Sequence, residues 1–187
     1  MKVLVVASSD QELKPFSDAF IRTVSGVGPI LAAAATASAI LEHKPDAVFS
    51  VGSAGSYGSL SVGDCVSFGS VVTPDQDLSL FHMKRGCTLL PSGAQIGEIR
   101  LDMSSSLVLA TSGTFASSPS LIAGADAADM EAYGVALSAF IAHIPCFAVK
   151  IITDIVGDGT RLSEYGFRLR DLRERMPAVV EEALRRL

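Results

Sequence analysis

The segment Asp126–Asp158, DAADMEAYGVALSAFIAHIPCFAVKIITDIVGD, decides the fold. It opens on an acid pair, Asp129-Met130-Glu131, and runs into a small-residue apolar stretch that ends at His143. Acids there suit the beginning of a helix, where the dipole favours negative charge. Ile144-Pro145 breaks the stretch, and the almost wholly apolar run Cys146–Ile152 comes next. A short β-branched run flanked by proline predicts a strand buried on both faces. Such a strand delivers the residues at its end, here Thr153-Asp154, to the carboxyl edge of a sheet, where α/β proteins bind ligands. Glu131 and Asp154 are therefore expected to face one pocket, each from the end of an element.

Working outward, Lys2–Ala7 predicts a first strand. Ser8-Ser9-Asp10 then caps a helix over Gln11–Phe20 that carries Glu12 in its first turn. Taken alone, Glu12 reads as a surface acid complementing a helix dipole. Ile21–Ser25 predicts a second strand, Gly26-Val27-Gly28-Pro29 a tight bend, and Ile30–His43 an alanine-rich helix. The bend lacks the third glycine of a dinucleotide fingerprint, which excludes that reading. Asp46–Val51 predicts a strand ending in a turn at Gly52-Ser53-Ala54-Gly55-Ser56, whose amides and Ser53 hydroxyl lie at the site edge. Val62–Val72 predicts one long strand. Thr73–Gly97 predicts an irregular segment that covers a site or meets a second subunit, with Phe81 and His82 as packing residues. Ser106–Ser112 predicts a strand leading to Phe115, an aromatic suited to stacking on a planar ligand or to plugging the core. Leu162–Leu187 predicts an amphipathic helix with Leu169, Leu172, Met176, Val180 and Leu184 on its apolar face, kinked or split at Pro177.

A chain of 187 residues, 49% hydrophobic and poor in aromatics, has the size and filling of one α/β domain over residues 1–187. The net charge of −5 argues against a nucleic-acid or anionic-membrane partner. Late basic residues (Arg161, Arg168, Arg170, Arg173, Arg175, Arg185, Arg186) are interleaved with acids and read as a solvated helix face. Cys65, Cys87 and Cys146 have neither metal-ligand nor paired spacing, so reduced thiols in a cytoplasmic setting are expected. No apolar run reaches membrane-spanning length unbroken.

With those residues laid out, the chain resembles the nucleoside phosphorylase/nucleosidase superfamily, most closely its methylthioadenosine/S-adenosylhomocysteine nucleosidases. The likeness rests on MKVLVVASSDQEL, SGVGPILAAAATASAIL, KPDAVFSVGSAGSYGSLSVGDCV and ADMEAYGVALSAFIAHIPCFAVKIITDIVGD. It implies a three-layer α/β/α domain around a central twisted mixed β-sheet, a homodimer, and hydrolysis of a purine nucleoside by water without metal or organic cofactor. It also implies roles. Asp154 matches the acid that serves N7 of the purine, and Glu12 the acid that activates water. Glu131 matches the carboxylate holding the ribose hydroxyls, Met130 packs on the sugar, and Phe115 stacks on the base. Ser53 and Lys150 match positions on the water or anion side of the sugar, and Thr153 joins them in the substrate-binding set. Phosphorylases of this fold carry an arginine shortly before the GS-x-G turn, where this chain has Ser50; together with Glu12 this favours water as nucleophile. The chain is short relative to the family near Phe20–Gly26 and Arg100–Leu107 and has Ser8-Ser9 where the nucleosidases have a methionine, which leaves futalosine hydrolysis and nucleoside binding without turnover as alternatives; phosphorolysis is the alternative on the side of the nucleophile.

Overall fold

The architecture comes from a computed structural model that describes residues 1–116, 124–159 and 162–187; Arg161 lies outside them. Its spine is a pair of parallel strands, β3 (Ala47–Ser56) and β11 (Cys146–Ile155), in register from Cys146 opposite Val48. Alternate residues of a strand point to opposite faces. Accordingly Val48, Ala54, Ala148 and Ile152 enter one core, and Phe49, Val51, Phe147, Val149 and Ile151 enter another. Phe49 and Phe147, paired in register, stack with ring centroids 4.8 Å apart. Apolar side chains on both faces need cover on both. Helices α2 (Pro29–His43) and α3 (Ala132–Ile141) supply it on one side. The helical turn α1 (Asp10–Leu13) and helices α4 (Leu162–Leu172) and α5 (Met176–Leu184) supply it on the other. The result is the expected three-layer α/β/α arrangement around a mixed sheet.

Strand β1 (Val3–Ala7) lies parallel to the first half of β3, with β2 (Ile21–Val24) parallel outside it. The end of β3 meets β10 (Ala127–Asp129) antiparallel, and β10 leads through β9 (Val108–Thr111) and β5 (Ser70–Val72) to β8 (Glu98–Arg100). Strand β4 (Cys65–Phe68) pairs antiparallel with β11 on its outer edge. Strand β10 thus joins β3 beyond the point where β1 ends, beside the carboxyl edge of the spine. Among the described residues no helix is long and apolar enough to cross a membrane.

Several expectations change in the folded chain. The predicted strand Val62–Val72 is two strands, because Gly69 turns where a side chain would collide with the Ser105 carbonyl. Gly52–Ser56 is not a turn but the second half of β3, held extended by β11 through Ile155 opposite Ser56. The predicted helix Gln11–Phe20 stops at Leu13, since Pro15 has no N–H to extend it. Asp129 ends a strand, and α3 begins three residues later at Ala132. Segment 73–97 holds a 3-10 turn at Ser79–Phe81 and a small hairpin of β6 (Thr88–Leu89) with β7 (Gln95–Ile96). Phe81 is exposed there instead of packing. The C-terminal helix divides at Pro177 as its sequence predicts: a 3-10 turn, Arg173–Arg175, separates α4 from α5.

Candidate active site

A cavity of about 220 Å³ opens at the carboxyl edge of the spine. Glu12, Ser53, Phe115, Met130, Glu131 and Asp154, six of the residues singled out in the sequence, line it together with Ser8 and Asp129. A larger groove of about 520 Å³ between Leu101, Phe140, Phe147 and Arg186 is remote from these acids; its one acid, Asp102, is bound by Arg186, Ser67 and Ser104.

Glu12 is only 3% exposed, which overturns its reading as a surface acid. The end of β1 and the short turn α1 fold it inward. Its Oε2 accepts hydrogen bonds from Ser8 Oγ at 2.6 Å, the Ser9 amide at 3.1 Å and Ser9 Oγ at 3.2 Å. Its Oε1 accepts from the Ser53 amide at 3.3 Å and lies so near β3 that a Cβ on Gly52 would sit 2.6 Å from it. Four donors around one carboxylate fix its orientation, since an ionised carboxylate only accepts.

Asp154 is placed by a β-bulge. Ile152 pairs with Ala54 and Asp154 with Gly55, so Thr153 drops out of the ladder. Bulges re-aim side chains at the ends of strands, and here the carboxylate turns over Gly55. A Cβ at Gly55 would lie 2.8 Å from Asp154 Oδ2. Thr153 Oγ1 donates to Asp154 Oδ1 at 2.8 Å.

Glu131 occupies the N-cap position of α3, and its Oε1 accepts from the Gly28 amide at 3.0 Å, across from the bend that starts α2. Burial pushes its carboxyl up to about 7; the Asp129 and Glu12 carboxylates add to this, while Lys150 and the Gly28 amide oppose it. Asp129, which the sequence marked only as part of the acid pair, turns out to organise the site floor. It accepts from Thr111 Oγ1 at 2.5 Å and from the Ala132 amide at 2.9 Å, capping α3, and pairs with Lys150 Nζ at 2.9 Å.

Lys150 and Thr153 do not reach the cavity surface. Lys150 is 1% exposed and lies behind the wall, bound to Asp129 and to Ser50 Oγ at 3.1 Å. Burial alone lowers an ammonium's pKa, but the Asp129 and Glu131 carboxylates, with Glu12, outweigh it and hold Lys150 above its ordinary value. Thr153 is wholly buried and acts on Asp154. The resemblance placed both in the substrate-binding set; their inward direction, at a strand position and at a bulge, is decided by the sheet. Val27 and Phe115, each 61% exposed, form an apolar rim. The loop that carries Phe115 is tied down by Asp75, which accepts from Ser112 Oγ at 2.8 Å and from the Gly113 amide.

The cavity thus has carboxylates on its floor and two sides, an open apolar rim, and no lysine or arginine among its described lining residues. Such a set can donate and accept protons and hold hydroxyl groups; it is ill suited to gripping an anion.

Residues 104–185 match the family model described as Phosphorylase superfamily. A 5′-methylthioadenosine/S-adenosylhomocysteine nucleosidase from Bacillus cereus is 28% identical, over 74% of this chain and 69% of its own length. The S-adenosylhomocysteine nucleosidase of Streptococcus pyogenes, solved in complex with 5-methylthiotubericidin, has a TM-score of 0.86 at 20% identity, covering 100% of this chain and 97% of that one. Futalosine hydrolase of Helicobacter pylori has a TM-score of 0.83 at 20% identity, covering 100% and 98%. The structural likenesses establish the fold along the whole chain, and the matched segment contains both Glu131 and Asp154. This chain is thus similar in sequence to the phosphorylase superfamily over residues 104–185, and in fold to nucleosidase structures along its whole length.

Proposed function

We propose that the protein is a purine nucleosidase that hydrolyses the N-glycosidic bond of adenosine-type nucleosides of the methylthioadenosine/S-adenosylhomocysteine class. The observation that carries this is the convergence of Glu12, Glu131 and Asp154 on one cavity. Breaking the C1′–N9 bond leaves oxocarbenium-like positive charge on the ribose and negative charge on the departing purine. Asp154, held by Thr153 over Gly55, donates a proton to N7 and so removes the charge of the leaving group. Glu131 accepts hydrogen bonds from the ribose hydroxyls, and its ionised form also stabilises the cationic sugar. Glu12 takes a proton from water as the water oxygen bonds to C1′. Bond for bond, one water is consumed, a free base and a free ribose moiety leave, and no electrons are exchanged. Met130 packs on the sugar and Phe115 stacks on the base. Ser53 helps through its amide, which holds Glu12, while Lys150 and Thr153 support Asp129 and Asp154 from behind.

Water is favoured over phosphate as the nucleophile because Glu12 stands on that side and the described lining has no basic residue. The protein is further proposed to work as a homodimer. Leu80 and Phe81, 93% and 74% exposed on segment 73–97, are apolar surface that a second copy would cover.

The test is base release from methylthioadenosine, S-adenosylhomocysteine, adenosine, inosine and futalosine, each with and without phosphate. Phosphate-independent release from the first two is expected. Release that requires phosphate would make the protein a phosphorylase. Futalosine as the fastest substrate would change the 5′ specificity, and binding of adenosine analogues with no release would make it a nucleoside-binding protein.

A further inference from the structure

Two of the late arginines, Arg168 and Arg173, depart from the expected solvated face, while Arg170, Arg175 and Arg185 are exposed as it requires. Arg173 is inserted between the 3-10 turn and α1, its side chain 13% exposed, with Nη1 donating to the Gln11 carbonyl at 2.9 Å and to Gln11 Oε1 at 2.8 Å. Arg168 on α4 donates from Nη1 to the Thr153 carbonyl at 2.8 Å. Gln11 immediately precedes Glu12, and Thr153 immediately precedes Asp154.

Both carbonyls are orphans of the irregularities that aim the two acids. In a continuing helix the Gln11 carbonyl accepts from the amide four residues on, but that residue is Pro15, which has no N–H. In a regular strand the Thr153 carbonyl belongs to the ladder, but the bulge removes Thr153 from it. Thr153 is buried, where a carbonyl without a donor is costly; Gln11 is exposed, and there Arg173 gives its carbonyl a fixed donor in place of exchanging water. One C-terminal arm supplies both, and its guanidinium groups make charge-assisted bonds that are stronger than neutral ones.

We propose that Arg168 and Arg173 are positioning residues, a pair of latches by which the C-terminal helical arm fixes the backbone beside Asp154 and Glu12. The inference rests on the reading of those two acids as the reacting groups. With the arginine removed, the carbonyl seeks water, the turn or bulge relaxes, and the acid drifts from its reacting geometry while the rim and Glu131 still bind the nucleoside. Displacements of about 1 Å at a reacting group can cost on the order of a hundredfold in rate.

The experiment uses the full chain with Arg168→Gln, Arg168→Lys, Arg173→Gln and Arg173→Lys, and exposed Arg185→Gln as control. For each Gln variant kcat for base release should fall at least about tenfold, with KM held within about twofold. Lysine, which can still donate to a carbonyl, should recover most of the loss, and Arg185→Gln should match wild type. Amide hydrogen exchange supplies a readout that needs no turnover: residues 9–14 should exchange faster only in Arg173→Gln, and residues 151–156 only in Arg168→Gln. Unchanged kcat with unchanged exchange in folded Gln variants would overturn the inference. So would a uniform rise in exchange, or Lys variants no better than Gln, either of which indicates a general structural role. A wild type that releases no base sinks the hydrolase reading instead, and the exchange pattern then decides the latches alone.

Discussion

Gly55 faces Asp154 across the bulge at a distance that admits no side chain: a Cβ there would lie 2.8 Å from the carboxylate oxygen. Gly52 has the same relation to Glu12, at 2.6 Å. The two glycines of Gly52-Ser53-Ala54-Gly55 therefore make room on one strand for two acids from two other elements. Gly52→Ala and Gly55→Ala should each push one acid aside, lowering kcat by on the order of a hundredfold. Gly52 also has φ +142, so alanine there is strained whatever the space and should cost stability as well. Comparing kcat with thermal stability separates the two effects; an active Gly55→Ala variant would remove Asp154 from the reaction.

Asp154→Asn keeps the shape of the side chain and loses the transferable proton. Base release should fall by roughly 10²–10⁴-fold, the usual contribution of a general acid, while the variant still binds methylthioadenosine in equilibrium dialysis. Retained turnover in Asp154→Asn would falsify the assignment of the acid.

The Glu131 carboxyl, ordinarily near 4.5, stands at about 7 in the folded chain. The native state thus holds this proton more tightly than the unfolded chain does. Its contribution to stability is complete below about 4.5 and is lost as the pH rises through about 7. In wild type the Tm should accordingly decline across that window, and in Glu131→Gln the decline should be smaller. In activity the sign reverses: kcat/KM should rise with pH through about 7, as Glu131 becomes the ionised acceptor for the ribose hydroxyls. Parallel Tm curves for the two proteins would show that Glu131 titrates normally.

Lys150 and Asp129 form an ion pair sealed from water, at 2.9 Å with side chains 1% and 0% exposed. Removing one partner leaves the other charge buried, which typically costs about 3–5 kcal/mol. Urea unfolding of Lys150→Met should show a loss of that order. A loss below about 1 kcal/mol would mean that Asp129 finds water or another donor.

The dimer reading predicts sedimentation at twice the monomer mass at micromolar concentration, and Leu80→Asp with Phe81→Asp should return the chain to monomer mass. A wild type at monomer mass ends that proposal.

Much of this was legible in the sequence because it obeys local rules. Short, nearly continuous apolar runs bounded by Pro145 and by Gly52 marked the two spine strands, since a strand buried on both faces must be apolar throughout. The acids at the ends of elements came with them, because the chain reaches a sheet's carboxyl edge wherever such a strand stops. Tertiary structure decided what local rules cannot: which way each acid points and what surrounds it. Glu12 reads as a surface acid until β3 comes to lie against it. Lys150 reads as a site residue until Asp129 and Ser50, brought up by other strands, draw it behind the wall. Arg168 and Arg173 read as solvent-facing until the bulge at Thr153 and Pro15 present carbonyls with no partner of their own. Burial of a polar group depends on elements distant in sequence, and its partner is set by where those elements pack.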